Sequence, residues 1–353
     1  SGFCQFRALT HGLHVVRGVY DKPDDPGAIN HFQTLSAALS ATVGLGNIGG
    51  VALAIALGGP GAVFWMWVVG FFGMAIKLTE VTLSMLYRNT YDPDNPHGGP
   101  MWVVDKALRA RSSRLTGVGR AIGVLFCITL LVSTATGGNM FQAWNVGVIT
   151  ESYFGIPSIV TGIMLAIIVA AVIIGGIKRI GAVAGRLVPI MLVMYIIAGI
   201  YVLITNFSEL PGIFVLIIKA AFSPVESTGA FIGGTMGYAF LFGMKRALFS
   251  NEAGQGTSPI AHSAAKTDEP VREGIVAGLE PFIATIVFCT LTALVILSTG
   301  VLNPVSEAAL HPASFIVASS DSLSPVRTHA APERISDDSR FGDDVCVPVP
   351  GRR

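Results

Sequence analysis

Apolar residues in this chain come in long runs, with most of the charge pushed into the gaps between them. A bilayer core about 30 Å thick takes about 20 apolar helical residues to cross. Seven stretches are long enough, at roughly 36–58, 61–87, 119–147, 157–176, 187–206, 228–248 and 274–300. Charge inside them is sparse: Lys77 and Glu80 in the second, Glu280 in the seventh, and Lys245 and Arg246 where the sixth ends. The pattern predicts an all-α polytopic membrane protein with an N-terminal segment (1–35), a seven-span core (36–300) and a tail (301–353). Lys and Arg counts in the N-terminal segment and successive loops, with Arg120, Lys245 and Arg246 at span edges counted with the loops they adjoin, run 3, 0, 6, 0, 3, 1, 4. By the bias of cytoplasmic loops toward positive charge, residues 1–35 and every second loop are expected in the cytoplasm, and span seven ends outside.

Composition narrows the function classes. Of 353 residues, 52% are hydrophobic and 13% charged, against about 25% charged in a typical soluble domain. There is no basic excess, with 23 Lys and Arg against 22 Asp and Glu, so a nucleic-acid partner is not expected. Cys4, Cys127, Cys289 and Cys346 are scattered without CxxC or metal-like spacing, which argues against a disulfide scaffold or a metal centre. No Ser/His/Asp set or paired carboxylates stand out, so no enzyme chemistry and no cofactor are expected.

The 41 glycines change the picture more. Thr42-Val43-Gly44-Leu45-Gly46-Asn47-Ile48-Gly49-Gly50 lies inside span one, and Gly229, Gly233, Gly234, Thr235 and Gly237 lie inside span six. Irregular backbone within a membrane is tolerated only against protein or a water-lined cavity. Paired broken helices in corresponding halves point to a transporter binding site. Free N–H groups at a half-helix start suit a carboxylate, and free carbonyls with hydroxyls suit a hard cation. Close helix packing through small residues is the alternative; the density of glycine beside Thr42 and Asn47 favours unwinding. In span three, Asn139, Gln142 and Asn145 recur at i, i+3 and i+6 near one helical face. They suit either a zwitterionic substrate or ordinary interhelical hydrogen bonds. Lys77 and Glu80, one turn apart near the cytoplasmic edge, read as a local ion pair with snorkelling side chains, and Glu280 reads as structural in the same way.

These residues carry a resemblance. ATVGLGNIGGVALAIALGGPGAVFWMW (41–67), KLTE (77–80), HGGPMW (97–102), GGNMFQAWN (137–145), GGIKRI (175–180) and above all RALFSNEAGQGTSPIAHSAAKTDEPVREG (246–274) resemble the sodium:alanine (alanine or glycine:cation) symporter family over about residues 1–310. The resemblance implies a leucine-transporter-type fold of two inverted five-helix repeats, with the first repeat complete here and the second truncated. It implies Na⁺ as the coupling ion, a small neutral amino acid such as alanine or glycine as substrate, and a multi-pass location in the plasma membrane lipid bilayer. By the same resemblance, Ser40, Val43 and Thr42 would face a partial sodium site. Thr42, Gly44, Gly46, Asn47, Asn139, Gln142, Gly234, Thr235 and Gly237 would face the substrate.

The family has about eleven spans, so a span before the first and three or more after the seventh are expected to be missing, including the helix whose hydroxyls complete the sodium site. The chain begins Ser1-Gly2, and residues 320–353 hold eleven charged residues with five Arg, no Lys and no apolar period. That change of character reads as out-of-frame sequence, with a natural disordered tail as the alternative. Three rivals remain to symport: an inactive truncated fragment, an H⁺-coupled carrier of the same fold, and a channel. A channel would be expected to show a filter repeat or charged ring, and none is visible.

Overall fold

Span one begins at Asn30. Its Oδ1 accepts the Gln33 N–H at 2.8 Å, while Gln33 Oε1 accepts the Asn30 N–H at 3.3 Å, a reciprocal cap that satisfies two donors at a helix start. The computed structural model describes residues 4–22, 24–222 and 237–300. Among them, the helices are α1 (Cys4–Val16), α2 (His31–Thr42), α3 (Leu45–Gly58), α4 (Gly61–Tyr87), α5 (Pro100–Arg111), α6 (Thr116–Ser133), α7 (Phe141–Phe154), α8 (Ser158–Ile173), α9 (Gly176–Thr205), α10 (Leu210–Ala221), α11 (Tyr238–Asn251), α12 (Ser258–His262), α13 (Pro270–Ala277) and α14 (Thr290–Ser298). Strand-like pairing among the described residues is confined to isolated bridges of Ile29 with Ala265 and Asn89 with His97.

Four stretches are long and apolar enough to cross a membrane: Gly61–Tyr87, Ser113–Phe154, Gly176–Thr205 and Pro270–Ser298. The pair α2 and α3, bent by 40° at its break, makes a fifth if it is one span. The protein is a multi-pass, all-helical membrane protein. Helix ends and apolar runs do not coincide everywhere. The helix around expected span three runs from Ser113 to Phe154, and that around span five starts at Gly176. Helical backbone hydrogen bonding continues through charged residues such as Lys178, Arg179 and Arg186, where an apolar run stops. Of expected span six, 228–236 lies outside the described residues and α11 covers the rest.

Span two is the centre of the packing. α4 packs against α11, α13, α10 and α3, and buried Val51, Ala62, Val63, Met66, Ile217, Ala247 and Ala293 form one core around it. Its most apolar stretch is 44% buried and that of Pro270–Ser298 is 50%, against 11% for Ser113–Phe154 and Gly176–Thr205. The first two therefore form the inner layer and the last two the periphery. The approach of α11 to α4 depends on glycine: a Cβ at Gly243 would stand 2.4 Å from the Ala62 carbonyl oxygen. Backbone cannot yield as a flexible side chain can, so Gly243→Val is expected to destabilise by about 1–3 kcal/mol or more. Thermal unfolding in detergent measures this; an unchanged midpoint would mean that the two helices separate freely.

Candidate functional site

The break in span one builds the site. α2 ends where the Val43 N–H reaches the Leu39 carbonyl at 2.7 Å. Gly44 is extended, and α3 starts at Leu45. A helix end leaves its last carbonyls, and a helix start its first N–H groups, without intrahelical partners. One such donor is answered from span three: the Leu45 N–H points to Gln142 Oε1 at 3.4 Å. Both glycines at the break lie against neighbours. A Cβ on Gly44 would come within 3.2 Å of Gln142 Nε2, and one on Gly46 within 3.0 Å of the Phe249 ring.

A cavity of about 760 Å³ opens at this break. One wall is Ser40–Gly44 with Gly46, and a second is span three from Phe126 to Gln142. The third is the end of α11 and the loop after it, through Phe249, Glu252, Gln255 and Thr257. Span three meets the cavity through a π-helical stretch, Thr134–Met140. Such wide turns concentrate at functional sites. Here one presents Gly137, Gly138 and Asn139 to the cavity just before Gln142.

Of the residues singled out from sequence, Ser40, Thr42, Val43, Gly44, Gly46, Asn139 and Gln142 line this one cavity. Asn47 is not in its lining. It is buried, with Nδ2 donating to the Ala284 carbonyl at 3.2 Å, and its Oδ1 has no hydrogen-bond partner. Asn145 turns back on its own helix, donating to the Phe141 carbonyl at 2.8 Å. Gly237 caps the start of α11, while Gly234 and Thr235 lie outside the described residues.

Sequence reasoning missed the third wall. Glu252 ends α11 in the left-handed region, φ 52°, and its carboxylate accepts the Thr257 hydroxyl. That turn brings the polar loop back to the cavity. The available signal was the loop's own Glu252, Gln255 and Thr257 among glycines.

The expected Lys77–Glu80 pair is corrected. Lys77 is fully buried, and its Nζ donates to Glu280 Oε2 at 3.0 Å. Glu80 instead accepts the Gly254 N–H at 3.0 Å. Packing of span two on span seven gives Lys77 a buried carboxylate, so it does not snorkel. No group of three or more His, Cys, Asp or Glu arranged to hold a metal occurs among the described residues.

The family model described as the sodium:alanine symporter family matches residues 1–326. The chain is 42% identical over 325 residues to the sodium/alanine symporter AgcS of Methanococcus maripaludis, covering 92% of this chain and 70% of that protein. It is 38% identical over 299 residues to the putative sodium/proton-dependent alanine carrier protein YrbD of Bacillus subtilis, covering 85% and 59%. It is 36% identical over 296 residues to the probable sodium/glutamine symporter GlnT of the same organism, covering 84% and 59%. The chain thus spans 70% of the archaeal relative and about three fifths of the two from Bacillus. With a family match over nearly its whole length, a broken membrane helix and a polar cavity at the break, the chain belongs to the sodium:alanine symporter family, a family of transporters rather than enzymes.

Proposed function

We propose that this chain forms the core of a Na⁺-coupled symporter for small neutral amino acids, alanine and glycine first among them. The observation that carries the proposal is the cavity at the broken helix, where the two helix ends of span one meet the amides of Asn139 and Gln142. The start of α3 offers N–H groups and the positive end of a helix dipole, which suit a substrate carboxylate. The end of α2 offers carbonyls, with the hydroxyls of Ser40 and Thr42 close by, as oxygen donors for Na⁺. Gly234, Thr235 and Gly237 would complete the substrate side at the matching break in span six, and buried Asn47 would serve the same region through its unpartnered oxygen.

In this reading the fold is the leucine-transporter type with inverted repeats. Spans one, two, six and seven move as a bundle against the rest, giving alternating access. The membrane is the plasma membrane, residues 1–35 are cytoplasmic, and the end of span seven is outside. In the same reading, the loop after span six, which lends Gln255 and Thr257 to the cavity wall, lies on the cytoplasmic side.

Reconstituted full-length protein is expected to take up alanine in Na⁺ medium and far less in choline medium. Na⁺ should raise the apparent alanine affinity about tenfold, a coupling of ordinary size for linked sites. Equal influx in the two media would overturn the coupling. Coupling to H⁺ is the second reading, suggested by the buried titratable residues around Glu280 and by the naming of the YrbD relative. It requires uptake in Na⁺-free medium driven by an inward proton gradient.

A further inference from the structure

A second polar cluster is buried outside the cavity lining. His262, at the end of α12, meets a carboxylate with each ring nitrogen. Nδ1 lies 2.5 Å from Glu273 Oε1, and Nε2 bonds Glu280 Oε1. The other carboxylate oxygens are also taken, Glu273 Oε2 by His31 Nδ1 and Glu280 Oε2 by Lys77 Nζ at 3.0 Å. Ser258 donates a further bond to Glu280 Oε1 at 2.7 Å. Lys77, His262, Glu273 and Glu280 are 0% exposed and His31 is 1%.

Proton counting defines the state of this cluster. Each N···O contact closes as a hydrogen bond only if it holds a proton, so His262 needs one on both sides. The two cations, the Lys77 ammonium and the His262 imidazolium, then balance the two carboxylates of Glu273 and Glu280. Loss of one proton would leave a buried net negative charge and one bare N···O contact, which is costly away from water. His31 spends its Nδ1–H on Glu273. Its Nε2 has no hydrogen-bond partner and lies 3.6 Å from Asp21, the half-exposed group at the rim.

The surrounding charges are committed elsewhere. Arg88, whose field also reaches Glu273, Asp25 and Asp268, donates to the carbonyls of Ser263, Ala265, Pro26 and Thr267. Arg272 pairs with Glu269 at 2.8 Å and Asp25 at 3.9 Å. Glu80 is bonded to Gly254.

The cluster joins α2, α4, α12 and the start of span seven. α2 is the twelve-residue half-helix that ends at the break beside the cavity, and His31 is its first residue. One end of this half-helix is therefore a joint, and the other is anchored through Glu273. We propose that His31, Lys77, His262, Glu273 and Glu280 form a proton-binding site whose bound proton latches the half-helix α2 to spans two and seven, so that, beyond the motion of the bundle as a whole, α2 swings away from those spans about the break at Val43–Gly44 only on release of that proton. The proposal rests on the alternating-access reading. On opening, the His262 imidazolium gives one proton to water and keeps a single N–H, which can serve one carboxylate and no longer both.

Burial alone would lower the affinity of His262 for its proton. The carboxylates of Glu280 and Glu273 outweigh that and hold its pKa at about 9, above the ordinary 6.5. The closed latch is therefore protonated at neutral pH, whereas a water-exposed His262 would be mostly neutral there. By linkage, acid favours the latched state, and the latch weakens as pH rises through about 9.

The test uses the full-length protein in nanodiscs, with a fluorescent donor and acceptor on cysteines replacing Phe32 in α2 and Arg111 at the end of α5. Energy transfer is followed from neutral to alkaline pH, with and without Na⁺ plus alanine. The unsubstituted cluster is expected to show a longer-distance population that grows several-fold as pH passes about 9. Glu273→Gln is expected to show that population already at neutral pH, with no pH dependence. Should Glu273→Gln not purify as a monodisperse protein, His31→Phe, which removes the α2 side of the cluster, makes the same comparison. A distance distribution flat in pH, or a Glu273→Gln profile that tracks the unsubstituted one, overturns the latch. A response to Na⁺ plus alanine but not to pH would leave the transport reading standing without it. A response to pH alone would support the latch and count against the transport reading.

Discussion

Glu280→Ala is expected to lower the folding stability of this protein by about 3–5 kcal/mol, because it strands a buried cation. Lys77 is fully buried, and Glu280 is its ion-pair partner among the described residues. Glu280 also accepts from Ser258 and His262, so alanine orphans three buried donors together. The reverse truncation is instructive. A buried ion pair replaced whole by apolar residues of similar size is often neutral in stability, so Lys77→Met with Glu280→Leu is expected to recover much of the loss. Thermal unfolding of the single and double variants in nanodiscs decides this. If the double variant is no more stable than Glu280→Ala, the loss comes from His262 and Ser258 and not from the stranded lysine. If Glu280→Ala costs less than about 1 kcal/mol, as a surface change would, the pair is not closed in the membrane.

The contrast between span one and span two shows what was legible beforehand. The break at Val43–Gly44 is written locally: glycines remove the side chains that a continuous helix would pack, and Thr42 and Asn47 are polar within an apolar run. A reader of sequence needs no distant partner to find it. Lys77 is the opposite case. Its nearest opposite charge along the helix is Glu80, so a local pair is the economical reading, yet its partner Glu280 is 203 residues away. Only the packing of span seven on span two brings them together, and the same packing frees Glu80 for the Gly254 N–H. The His262 bridges are hidden for the same reason, since a histidine in a polar loop carries no sign that the loop folds inward. Span three lies between these cases. Its amides were visible, but the π-helical stretch at Thr134–Met140 changes which of them share a direction. Asn139 and Gln142 reach the cavity, and Asn145, drawn on the same ideal face, does not.

Gln142→Ala is expected to weaken apparent alanine affinity by about tenfold to a hundredfold, the loss of one hydrogen bond to a charged group, with little change in stability. Gln142 is half-buried, lines the cavity, and touches the broken backbone through Leu45 at 3.4 Å. On the proposed reading, truncation therefore removes a polar contact to the substrate, and it leaves no buried charge behind. The informative companion is Gln142→Glu, which keeps shape and adds a negative charge. If the start of α3 receives the substrate carboxylate, a glutamate beside Leu45 repels it, and uptake should fall further than in Gln142→Ala. If that corner instead receives Na⁺ or the substrate ammonium, the added charge attracts it, and Gln142→Glu should equal or exceed the unsubstituted protein in apparent affinity. The N-terminal end of a helix carries partial positive charge and unpaired N–H groups, and Gly44 keeps the approach open by lacking a side chain that would crowd Gln142 at 3.2 Å. The expected order of apparent affinity is therefore unsubstituted, then Gln142→Ala, then Gln142→Glu. Uptake measured across alanine concentrations at fixed Na⁺ checks the order, and its inversion would move the cation to the α3 side of the break.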